Sequence, residues 1–126
     1  MKIKVRLNEL EMAVYCLSRP LFIKNSQSIT LQGEQELFRI KAGGAVRWGM
    51  LHVKPIAAAP CALRVKIYDP RGLCSSSGQF WLIAGENAVS YPIYYKGSGE
   101  LSVRVECEGA SIAAEGAVAV IAGGRA

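Results

Sequence analysis

Ala62-Leu63-Arg64-Val65-Lys66-Ile67-Tyr68-Asp69, followed by Pro70-Arg71-Gly72, decides the fold class. Leu63, Val65 and Ile67 alternate with Arg64, Lys66 and Tyr68. Side chains on a strand point alternately to opposite faces, so this run is a half-buried strand with one apolar and one polar side. Asp69-Pro70-Arg71-Gly72 then reverses the chain, with proline at the second turn position and glycine at the fourth.

The same grammar extends in both directions. Upstream, Ala45 to Val53 aligns Val46, Trp48, Met50 and His52. Glu36 to Lys41 places Phe38 and Ile40 together, and Ser28 to Gln32 does the same for Ile29 and Leu31. Leu21 to Ile23 is a short extended piece, and Met12 to Leu17 is an apolar run ended by Ser18-Arg19-Pro20. Lys2 to Leu7 sets Ile3, Val5 and Leu7 against Lys2, Lys4 and Arg6. Downstream, Gln79 to Ile83, Ala88 to Tyr95, Glu100 to Cys107 and Ser111 to Ile121 read as further strands. Pro92 marks its strand as an edge or a bulge, because it lacks the N–H a central ladder needs. Gly33-Glu34-Gln35, Lys41 to Gly44, Gly85-Glu86-Asn87, Lys96 to Gly99 and Glu108-Gly109-Ala110 read as turns. Pro55 to Pro60 and Ser75 to Gly78 read as loops, and residues 122–126 as a frayed tail. The one helical signal is a turn near Asn8 to Met12, where Asn8 caps a Glu-Leu-Glu segment.

This pattern predicts an all-β chain, an antiparallel β-sandwich or jelly roll of about eight to ten strands at spacings of about ten residues. Parallel α/β architecture has no crossover helix to build it. With 126 residues the expectation is one sandwich domain over 1–126, and burial of roughly two-thirds of the unfolded chain's surface supplies a core without staples. A hydrophobic content of 51% against 20% charged residues excludes disorder. No apolar stretch reaches the length of a membrane-spanning helix. The interleaved Lys2 to Leu7 segment lacks the continuous apolar core of an export signal, so cytoplasmic synthesis is expected.

Chemistry is thinly provided for. His52 is the single histidine, and no neighbouring motif offers it a nucleophile or an orienting carboxylate. Cys16, Cys61, Cys74 and Cys107 are widely spaced, so zinc and thioredoxin-like motifs are unsupported; a Cys61–Cys107 or a Cys16–Cys74 bridge is left open by sequence. Carboxylates cluster at turns, and the Asp69 turn pairs one carboxylate with a cation, which does not suit calcium. The chain is therefore expected to have no catalytic residues, metal or cofactor, and not to be an enzyme.

Two groups are left as binding candidates. Lys2, Lys4 and Arg6 leave one face of one strand and suit docking on an acidic surface; the competing role is protection of an edge strand. Trp48, Trp81, Tyr91, Tyr94 and Tyr95 are candidates for stacking on sugar rings, with Trp81, Tyr91, Tyr94 and Tyr95 as the expected platform, against the ordinary role of aromatics in strands. The net charge of +5 favours acidic partners, but no groove-entering element or interleaved aromatic set supports nucleic-acid binding.

The order of motifs from Ala45 to Ala122 adds a resemblance. Val46-Arg47-Trp48-Gly49-Met50-Leu51-His52-Val53 leads to a strand ending in Ile67-Tyr68-Asp69. Then come the proline strand Ser90-Tyr91-Pro92-Ile93-Tyr94-Tyr95, the late strand Gly99-Glu100-Leu101-Ser102-Val103-Arg104-Val105 and the closing Ala117-Val118-Ala119-Val120-Ile121. This resembles the small all-β virion proteins of tailed bacteriophages, which serve as head decoration, head-fibre or tail components. The four cysteines and two tryptophans depart from that pattern, and it has no catalytic positions to carry over. The resemblance implies a structural protein of the virion. It would bind and stabilise a capsid or tail through many contacts with other virion subunits, as a homo-oligomer and with residues 2–7 as an assembly arm. A carbohydrate-binding receptor-recognition module is the alternative.

Overall fold

The computed structural model of the chain describes residues 21–41 and 46–124. The described residues form strands and no helix. These are β1 (Leu21–Lys24), β2 (Ile29–Ile40), β3 (Val46–Ala57), β4 (Cys61–Tyr68), β5 (Cys74–Leu82), β6 (Gly85–Glu86), β7 (Val89–Lys96) and β8 (Leu101–Gly124). All pairings are antiparallel.

The long strand β8 organises the sandwich. Its first part, Leu101 to Glu108, lies between β2 and β4, and β5 extends that layer beyond β4. Its last part, Ala117 to Gly124, lies between β3 and β1, and β7 extends this second layer beyond β3. The layers are therefore β2–β8–β4–β5, hereafter the charged layer, and β1–β8–β3–β7, the aromatic layer. The small strand β6 pairs with the end of β3. Leu31, Phe38, Leu51, Val53, Leu63, Val65, Ile67, Ile93, Val103, Val105 and Ile121 are buried in one core between the two. At about 1.5–3 kcal/mol per fully buried aliphatic side chain, this burial is the main force holding the layers together.

Glycines at Gly33 and Gly109 act as corners and not as reversals. Gly33 (φ 78°) and Gly109 (φ 94°) adopt backbone that other residues disfavour. Leu31 pairs with Ala110 but Gln32 pairs with Glu108, so Gly109 is the extra residue of a bulge. A bulge bends a strand and increases its twist, which lets β2 and β8 pass from one layer to the other without breaking. The turns expected at Gly33-Glu34-Gln35 and Glu108-Gly109-Ala110 are thus interior bends of two long strands.

Three further expectations are corrected. Pro55 lies inside β3 at a register shift rather than opening a loop. Ser75 to Gly78 belongs to β5, because this stretch pairs with β4 and its small side chains admit the Tyr91 ring; a Cβ on Gly78 would lie 2.7 Å from Tyr91 Cε1. Ala122 to Gly124, expected to fray, continues β8 and pairs with Val46 to Trp48. The helical turn near Asn8 and the strands at Lys2 to Leu7 and Met12 to Leu17 lie outside the described residues.

Asn25 holds the one large irregularity of β8. Between Ile112 and Ala117 the strand leaves its ladder with β3, and Glu115 has φ 64°. The buried Asn25 side chain accepts from Ala117 N–H at 2.7 Å and donates to Ala113 O at 3.1 Å and Gln27 O at 2.9 Å. Its backbone carbonyl accepts from Glu115 N–H at 2.8 Å. Asn25, side chain and backbone together, therefore replaces the missing ladder bonds.

Candidate docking surface

Each layer turns one face to solvent, and the two faces differ in kind. On the charged layer Glu34 meets Lys66 at 2.8 Å and Arg104 at 3.4 Å. Lys66 also meets Glu106 at 3.0 Å, Arg64 lies 3.7 Å from Glu106, and Arg39 bridges Glu36 and Glu100 at 3.1 Å each. The Arg104 guanidinium stacks over Tyr68 at 5.0 Å. Hydrogen bonding from Lys66 is the main cause that holds the Glu34 carboxyl below the usual range, and Glu34 in turn raises the Lys66 ammonium. Acids and bases here already satisfy one another, so covering the face with a partner would remove paired charges from water at a cost.

The aromatic layer presents the opposite. Residues directly across an antiparallel pair share a face, so the registers define rows. One row runs Phe22, Val120, Met50, Pro92. The next sets Trp48 against Tyr94, with Ala122 buried beside Trp48, and on the other side lies Lys24, Val118, His52, Ser90. Phe22 is 63% exposed and Tyr94 52%. Trp48, Met50, Val118 and Val120 are half-buried, and Pro92 is exposed. Trp48 and Tyr94 pack edge to face with ring centroids 4.8 Å apart. Exposed Lys24, Lys54 and Lys96 rim the patch. An apolar stripe spanning four strands with a basic rim is what a protein-docking surface requires and what an isolated soluble face rarely carries.

The alternation of β3 hides this from sequence, since Trp48 and Met50 are as apolar as Leu51 and Val53. The core takes Leu51 and Val53, and it also takes Arg47, which is 1% exposed. Arg47 Nη1 and Nη2 donate to the Gly99 and Gly97 carbonyls at 2.5 and 2.6 Å, and the guanidinium lies 5.7 Å from the Tyr95 ring centroid. Burial is the main cause that lowers its pKa. Arg47 thereby ties the β7–β8 hairpin to the end of the aromatic layer.

The aromatics singled out in the sequence do not all share one surface. Trp48 and Tyr94 meet on the aromatic layer's outer face. Tyr91 turns inward between β5 and β7, with its hydroxyl on Ser76 and its ring edge-on to Phe80 at 6.2 Å. Tyr95 packs on the core under Arg47. Trp81, 76% exposed, stands at the edge of the charged layer. It pairs with Ala62, which with Arg64, Gln79, Glu106 and Glu108 lines a shallow groove. Lys2, Lys4 and Arg6 lie outside the described residues. His52, unpaired on sequence reading, shares a 2.9 Å hydrogen bond between Nδ1 and Ser90 Oγ; no carboxylate among the described residues hydrogen-bonds to it. Nor does any group of three or more His, Cys, Asp or Glu side chains among the described residues suit a metal ion.

No protein-family model matches the chain, and no curated protein matches it in sequence. Solved structures do share its architecture. The T13 particle of infectious bursal disease virus superposes with a TM-score of 0.59 at 14% identity, over 86% of this chain and 32% of that one. The Gx strain of the same virus gives 0.58 at 17% identity over 86% and 34%. A Cry1Da tryptic core variant of Bacillus thuringiensis gives 0.51 at 10% identity over 79% and 18%. The chain spans about a third of the length of the virus proteins it matches. At these identities the likeness shows the fold: an antiparallel jelly-roll-like sandwich of the class found in viral particles and elsewhere.

Proposed function

We propose that this chain is a structural protein of a bacteriophage virion. Made in the host cytoplasm, it binds a capsid or tail as many copies and stabilises it in the manner of a decoration protein. The observation that carries this reading is the contrast between the two outer faces: one internally neutralised, the other an apolar stripe of Phe22, Trp48, Met50, Pro92, Tyr94, Val118 and Val120 with a lysine rim. The partner it fits is a virion subunit whose own apolar patch is bordered by acids, since lysines facing lysines on a second copy would repel. The sequence resemblance to small phage virion proteins and the sandwich shared with viral particles support the class. Repetition on a symmetric shell then turns modest single contacts into firm attachment. The test is rebinding. Purified protein added to virions made without it should attach and raise their thermal stability; failure to attach, together with absence from purified particles, would overturn the proposal.

A second reading rests on Trp81. Its exposed ring stands on the same face as Arg64 and Gln79, beside the groove they line with Glu106 and Glu108. A flat aromatic next to planar polar side chains suits a sugar ring and its hydroxyls. Specific hits on a glycan array that disappear with Trp81→Ala would favour this carbohydrate-recognition role.

A further inference from the structure

Cys61 and Cys107 sit on neighbouring strands, β4 and β8, with their sulfurs 3.7 Å apart. Both occupy core-facing positions: Cys61 continues the series Leu63, Val65, Ile67, and Cys107 continues Val103 and Val105. The two differ in access. Cys107 is 3% exposed, whereas Cys61 is half-buried; both border the shallow groove beside Ala62 and Arg64, and Cys61 is the sulfur open to a small reagent from that side. Sulfurs at this separation need a small approach to bond, and the pair lies just past the Arg64–Glu106 end of the β4–β8 ladder, where the two strands are no longer held to each other by backbone pairing.

We propose that Cys61 and Cys107 are a redox-modification site: a two-electron oxidant of the peroxide class converts them into a disulfide that locks β4 to β8. The Cys61 thiolate attacks a peroxide oxygen and the O–O bond breaks. With a proton from solvent this yields water and a sulfenic acid on Cys61. The Cys107 thiol gives up its proton to solvent, its thiolate attacks the Cys61 sulfur, and the sulfenic hydroxyl leaves as hydroxide, which takes up a proton to become a second water. Two thiols are oxidised and one peroxide is reduced to two waters. Burial, and next the Cys61 contact, push the Cys107 thiol up to about 11, so the closing step accelerates as pH rises. The bond joins residues 46 apart in sequence and removes that freedom from the unfolded chain. A virion leaving a reducing cell for an oxidising medium would undergo this change once. That consequence rests on the function proposed above; the chemistry of the pair does not.

The test uses the full chain and hydrogen peroxide. Peptide mass spectrometry without reductant should show a Cys61–Cys107 cross-link within one chain. The melting temperature should rise by roughly 5–15 °C and return on adding dithiothreitol. Cys74→Ser should keep the shift; Cys61→Ser, at the half-exposed position, and Cys107→Ser should each abolish it. A linkage between chains or through Cys74, or a Cys61 that stops at sulfinic acid without cross-linking, would overturn the proposal, as would a melting temperature that peroxide shifts equally in Cys61→Ser.

Discussion

Trp48 and Tyr94 face each other across the β3–β7 ladder, ring centroids 4.8 Å apart and planes at 69°. The pair lies on the solvent side of the aromatic layer, while the chain neighbours Arg47 and Ile93 are buried. Edge-to-face geometry sets the positive rim of one ring against the negative face of the other, which keeps a large apolar surface rigid before any partner arrives. A rigid patch loses less freedom on docking than a mobile one.

A double-mutant cycle of Trp48→Ala and Tyr94→Ala should therefore give a coupling of about 0.5–1.5 kcal/mol in urea unfolding, with both single variants still folded. Additive effects would show that the rings do not support each other.

Asn25→Ala should lower stability by about 2–4 kcal/mol, since it strands the Ala117 N–H and the Ala113 carbonyl in a buried site. Asn25→Asp should also destabilise, because the carboxylate has no N–H for Ala113 and Gln27. Denaturant midpoints measure both.

Arg47→Ala should cost about 2–4 kcal/mol by leaving the Gly97 and Gly99 carbonyls without their donor. Arg47→Lys should recover little of this, because an ammonium does not match a fork with two fixed prongs. The hairpin it holds contains Lys96, so faster trypsin cleavage there reports the same loss.

Stability should fall in acid. The Lys66 hydrogen bond, chiefly, holds Glu34 below its ordinary value; backbone N–H of Leu73, then the Arg71 side chain, does so for Asp69. A carboxyl depressed in the folded state contributes fully above its unfolded pKa, and that contribution disappears as pH falls through the folded pKa. Unfolding from about pH 6 to pH 3 should show this decline. In Glu34→Gln the decline should be shallower, and salt should shrink the difference between the two proteins because the ion pairs are partly exposed.

Strand grammar made much of the architecture legible. Leu63, Val65 and Ile67 face the core and Arg64 and Lys66 face solvent, as their alternation requires, and Pro92 lies on the edge strand β7. Part of what sequence missed turns on glycine. Gly33 and Gly109 look the same whether they reverse a strand or bend it around a corner, and only long-range pairing with each other's strands decides. Ser75 to Gly78 reads as a loop because small residues break the apolar pattern, yet smallness is what lets Tyr91 lie against Gly78. The apolar outer face was concealed by the even apolarity of β3. Choosing Leu51 over Met50 for the interior needs the partner strands, and the buried Arg47 argues against the choice until its two carbonyl acceptors are seen.

The aromatic layer's outer face is proposed to seat this chain on a virion. The copy number of the chain in gradient-purified particles tests this, compared between the native sequence and Met50→Glu, which places a charge in the middle of the Phe22–Val120–Met50–Pro92 row. The native chain should band with particles in many copies, and a folded Met50→Glu chain should remain in the unassembled fraction. Equal incorporation of the two, or a native chain that never bands with particles, would contradict the account.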